Sequence, residues 1–129
     1  DLIYRAQDHC TAGRYHEAIR DADRAVGLSD VSVLGTWCTK ATALVYLGQI
    51  DHATKVAKTG VEQVANMCGP DSRVALIANF DHARFLRSLG YRQENRAILR
   101  TILPVQESRL LGRHHPETQQ TAAELATLG

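Results

Sequence analysis

Three Asp-His dipeptides, Asp8-His9, Asp51-His52 and Asp81-His82, are the first places to look for chemistry in this chain. A carboxylate beside an imidazole can orient a general base. Adjacent residues on a helix, however, point roughly 100° apart, and the three pairs lie at different distances from the glycines that end the helical patterns. The arrangement therefore does not read as one repeated acid–base device. His114-His115 could bind a metal, but no acid or cysteine stands at ligand spacing from both, and His115 precedes a proline suited to open a helix. Cys10, Cys38 and Cys68 have no CxxC spacing, and no HExxH segment, nucleophile elbow or glycine-rich phosphate loop occurs. The expectation is a protein that is not an enzyme, with no catalytic residues, no metal and no cofactor.

Charge offers a second kind of chemistry. The net charge of +1 hides a segregation: residues 82–113 carry seven arginines against two acids, while 1–81 and 114–129 are each net −2. The arginines are Arg84, Arg87, Arg92, Arg96, Arg100, Arg109 and Arg113. They read as a solvated helix face or as a surface for an anion or an acidic peptide. Nucleic acid is disfavoured, because aromatic residues do not interleave with the arginines.

These side chains must be held by a fold, and composition narrows it. At 129 residues, 44% hydrophobic and 22% charged, the chain has the length of a single domain and the means to bury a core, which excludes disorder. No apolar run is long enough to span a membrane and no secretory signal opens the sequence. Three cysteines, an odd number, fit reduced thiols and a cytoplasmic setting. Aromatic residues make up only 5%, and a core of alanine and leucine favours packed helices over sheets.

The helices repeat. Gly13, Gly48, Gly90 and Gly129 each close a helical pattern at separations of 35, 42 and 39 residues. Seven residues before each stands an alanine, at Ala6, Ala41, Ala83 and Ala122; four before stand His9, Leu44, Leu86 and Leu125. Five, nine and twelve residues after the first three glycines come Ala18, Ala22 and Ala25, then Ala53, Ala57 and Gly60, then Asn95, Leu99 and Ile102, on one helical face. Each unit thus reads as helix, glycine turn, helix, with small residues letting the paired helices approach closely.

The run from Ala12 to Ile19 with Ala22 and Ala25, and the pattern Trp37, Ala41, Leu44, Leu47-Gly48, Ala53, resemble the turn and helices of tetratricopeptide repeats. The segment Leu111-Gly112-Arg113-His114-His115-Pro116-Glu117-Thr118 is similar to the linker of the extended repeats of kinesin light chains and many bacterial signalling proteins. The resemblance implies an all-α right-handed α-solenoid of antiparallel helix pairs, about three and a half repeats forming one domain over 1–129, with repeats at about 1–30, 31–69, 70–113 and a half repeat at 114–129. His9, Asn95 and Gly60 depart from the residue types usual at their places, and Pro104 should kink or restart its helix. Breakers and caps set helices at about 2–12, 15–28, 32–47, 51–67, 72–89, 92–111 and 116–128. The absence of an initial methionine, and a last helix without a partner, suggest a piece of a longer protein or trimmed ends.

In this family the first helices line a concave face. The positions here would be Tyr4, Gln7 and Thr11; Thr39, Thr42 and Tyr46; Asp81, Arg84 and Ser88; and Gln120, Ala123 and Thr127, with Arg87 beside them. Tyrosine and arginine there suit an extended peptide. The places matching the chaperone-tail clamp of some members, Ile3, Gln7, Thr39, Ile77 and Asp81, lack its cations and asparagine, which disfavours that role. The resemblance implies a non-catalytic scaffold binding a peptide segment or neighbouring domain, in a signalling or regulatory protein. Its partner would be a protein or peptide, an acidic one among the options, not nucleic acid or membrane. The alternative is an oligomerisation module, a homodimer pairing through terminal helices.

Overall fold

The computed structural model describes the backbone of residues 2–28, 33–107 and 114–128, and the side chains of 5–24, 36–107 and 114–128. Among these residues the chain is all-helical: α1 (Leu2–Thr11), α2 (Tyr15–Leu28), α3 (Val33–Tyr46), α4 (Ile50–Cys68), α5 (Arg73–Ser88), α6 (Arg92–Val105) and α7 (Pro116–Thr127). It divides into two compact units, Asp1–Met67 and Cys68–Gly129. None of the helices is long and apolar enough to cross a membrane.

One turn geometry recurs three times. At the end of α1 the Gly13 and Arg14 amides donate to Cys10 and His9 carbonyls at 3.1 and 2.7 Å; Gly48 and Gln49 do the same to Val45 and Leu44, and Gly90 and Tyr91 to Arg87 and Leu86. These paired bonds cap the helix C-terminus and need a left-handed residue, supplied by glycine at φ 83°, 81° and 86°. The residue after each glycine also starts the next helix, its carbonyl accepting from Ala18, Ala53 or Asn95. Because one three-residue link joins each hairpin, the angular phase between its helices is fixed. That is why apolar positions recur at constant distances from the glycines.

The faces follow that register. Ala6, Ala41 and Ala83 are buried on the first helices, and Ala18, Ala22, Ala53, Ala57, Gly60, Asn95, Leu99 and Ile102 on the second. The side chain of Ala25 lies outside the described residues. In the first unit α2 packs against both α1 and α3, and α1 touches α3. In the second, α6 packs against α5 and α7 around Leu76, Ala83, Leu99, Ile102 and Leu128. Leu128 thus joins the core of its unit, with Leu125 partly buried beside it.

The departures each find a physical reason. Gly60 faces Trp37, whose Cβ would lie 2.2 Å from a Cβ added there, so the indole base occupies the place of a methyl group. His9 accepts from Arg14 Nε at 2.7 Å through Nδ1, a polar version of the side-chain contact that accompanies this type of helix cap. Ala122 is exposed, contrary to the expectation from its counterparts. In α7, Thr118 and Thr121 turn inward instead. Beyond Pro104, which offers no N–H, α6 ends at Val105 and passes into a π turn at 106–107; the rest of the expected helix, 108–111, lies outside the described residues. Ser72 caps α5, accepting from the Ala75 amide at 3.2 Å.

Candidate functional site

In the second unit the two first helices lie side by side. Arg73, at the start of α5, pairs with Glu117 at the start of α7 at 3.1 Å, while Arg87, near the end of α5, bonds Glu124. Start meets start and end meets end, so α5 and α7 run in the same direction. Between them, with Gln106 from the end of α6, is an open cleft of about 190 Å³ lined by Ile77, Phe80, Asp81, Arg84, Gln106, Glu117 and Gln120. Asp81, Arg84 and Gln120 are three of the positions named from the repeat register.

The electrostatics of this cleft are mixed. The Arg84 guanidinium lies 5.9 Å from the Phe80 ring centre and 3.9 Å from Glu124. Partial burial pushes the Asp81 carboxyl above its usual range, and Arg84 draws it part of the way back. Gln106 is 2% exposed, and neither its side-chain oxygen nor Glu117 Oε2 finds a hydrogen-bond partner among the described residues. Two of the arginines in the basic stretch are therefore engaged by Glu124, and Arg96 donates to the Leu128 carbonyl at 2.7 Å. Arg92 and Arg100 are exposed, whereas Arg109 and Arg113 lie outside the described residues.

The remaining expected positions are spread along the first helices. Gln7 and Thr11 are exposed on α1, Thr11 donating to the Gln7 carbonyl at 3.0 Å, and Thr39 and Thr42 are half-buried on α3. Tyr4 belongs to α1 with its side chain outside the described residues. Tyr46 is 67% exposed and stacks on Tyr15, ring centres 4.9 Å apart. Ser88 donates to the Phe85 carbonyl at 2.6 Å. The structure brings Asp81, Arg84 and Gln120 into one cleft, and Arg87 into the neighbouring ion pair with Glu124. Phe80, Gln106, Glu117 and Tyr15 escaped the sequence reading. Phe80 stands one position from Asp81 and was within reach of helical spacing, but Gln106 lies just past the end of α6, beyond a proline, and gave no signal.

The first unit has a larger cleft, about 350 Å³, among α2, α3 and α4 with Trp37 in its wall. None of the expected binding residues lines it, and its Lys40 and Asp23 are already paired at 2.8 Å. A smaller one holds Asp21, 5% exposed, which accepts from Arg5 Nε and Nη2 at 2.9 and 3.0 Å and faces His9 at 3.5 Å. The Arg5 hydrogen bonds hold the Asp21 carboxyl below its ordinary range against the opposing effect of burial.

Three of the histidines singled out for chemistry meet groups within the chain. His9 turns to Arg14 and Asp21, and His52 lies 3.4 Å from Gln49. His115 caps α7, its Nδ1 accepting from the Glu117 amide at 3.1 Å. Among the described residues no three His, Cys, Asp or Glu gather to hold a metal, and no disulfide joins Cys10, Cys38 or Cys68. No family model matches the chain, and neither the curated proteins nor the solved structures include a match to it.

Proposed function

We propose that this chain is a non-catalytic interaction scaffold, an α-solenoid of tetratricopeptide-like hairpins that takes a peptide segment or neighbouring domain on the face of its first helices, within a larger signalling or regulatory protein. One observation carries the reading: α5 and α7 run side by side and enclose an open cleft lined by Asp81, Arg84 and Gln120, at positions marked by the repeat. The repeated glycine turns support it, because hairpins of one geometry present equivalent faces. An open cleft with an aromatic ring, an arginine and polar ends suits side chains of an extended chain.

Phage-displayed random peptides selected on the immobilised chain test this. Enriched peptides should shift the amide resonances of α1, α3, α5 or α7 in the labelled protein. No enrichment, or shifts confined to α2, α4 and α6, would overturn the reading.

A further inference from the structure

The cleft between α5 and α7 has an imbalance of hydrogen-bonding groups. Glu117 spends Oε1 on Arg73 at 3.1 Å, yet its buried Oε2 has no partner among the described residues. Gln106, almost wholly buried, lines the same cleft, and its side-chain oxygen is equally unpartnered among the described residues. Asp81 adds a third acceptor to the wall. Buried acceptors are normally satisfied, and the Glu117 and Gln106 oxygens are left unpartnered by the cleft's own donors, Arg84 and Gln120. Ammonium and guanidinium groups are all donor and no acceptor, which is what two unpartnered acceptors call for. Phe80 and Ile77 form an apolar wall suited to an aliphatic stem. Arg84 is the opposing charge, and Glu124, 3.9 Å from it, offsets that charge.

We propose that this cleft receives one basic side chain, a lysine or arginine of the bound peptide, whose charged head donates to Glu117 Oε2, the Gln106 oxygen and Asp81. The assignment rests on the peptide-binding reading and gives it a sign opposite to that suggested by the arginine-rich stretch.

The probes are propylguanidinium and butylammonium, titrated at constant ionic strength into the isotope-labelled 129-residue chain, with propionate as the anionic control. The Gln106 side-chain amide and the Asp81 and Glu117 backbone amides should shift saturably with both cations. Glu117→Gln should weaken binding about tenfold through loss of a charge-assisted bond, and Gln106→Leu should weaken it with the amide spectrum still dispersed. A response linear in cation, saturation by propionate instead, or unchanged affinity in both variants would overturn the assignment. If the cations saturate the cleft while no displayed peptide is enriched, the scaffold reading fails and the pocket stands. If a selected peptide keeps its affinity after its basic residues are replaced by glutamine, the pocket fails and the scaffold stands.

Discussion

Asp21 on α2 and Asn95 on α6 show how differently two buried polar residues can sit in equivalent helices. Asp21 accepts two hydrogen bonds from Arg5, with His9 at its other side, and its carboxyl titrates below the ordinary range. A carboxyl depressed in the folded state stabilises that state above the unfolded value, near pH 4, and the contribution disappears as pH falls through the lower folded value. Acid unfolding followed by circular dichroism should therefore show the wild type losing stability below about pH 4, with a shallower loss in Asp21→Asn. Equal slopes would show that the pair contributes nothing. Asn95 is fully buried, with neither its oxygen nor its nitrogen partnered among the described residues, at the place held by Ala18 and Ala53 in the other hairpins. An unpaired buried polar group costs about 1–3 kcal/mol, more than the packing its small side chain contributes. Asn95→Ala should raise stability by about 1 kcal/mol in urea unfolding; a clear loss would point to an ordered water holding the amide.

At the scale of the element, the glycine turns were legible because their backbone geometry demands one residue type at one place. Gly13, Gly48 and Gly90 therefore fixed the hairpin register, and with it the buried faces of α1 to α6. The same logic failed at Ala122, whose burial depends on a neighbouring helix and not on its own turn. Gly60 was legible only as an irregularity, since its reason is Trp37, more than twenty positions away in sequence. Replacing it tests which effect wins. Alanine would gain about 1 kcal/mol of helix propensity, but its Cβ would fall 2.2 Å from Trp37 Cβ and 2.5 Å from Cγ, atoms too near the backbone to swing aside. Helices α3 and α4 would have to separate, and overpacking of this kind costs about 1–3 kcal/mol. Gly60→Ala should lower the thermal midpoint; a rise would mean that the indole repacks freely.

For the molecule as a whole, composition and repeat indicated helices throughout, and the described residues are helical in all seven elements. The candidate site was half legible. Asp81, Arg84 and Gln120 came from the resemblance to tetratricopeptide repeats laid on the glycine register, but Glu117 and Gln106 meet them only through helices brought together by folding. Within the arginine-rich stretch, Arg84 and Arg87 meet Glu124 inside the chain, while Arg92 and Arg100 are exposed. Large exposed apolar side chains are few among the described residues, namely Tyr46, Met67, Val74, Ile77 and Tyr91. A light-scattering concentration series should accordingly give the monomer mass throughout. A dimer that dissociates on dilution would favour pairing through terminal helices instead.

The contact between Trp37 and Gly60 also has an optical consequence. Trp37 is the single tryptophan of the chain and is 5% exposed, seated where α3 and α4 meet. Its fluorescence belongs to the first unit alone, so an emission shift toward the red reports the opening of that one helix pair, while the second unit contributes no indole signal.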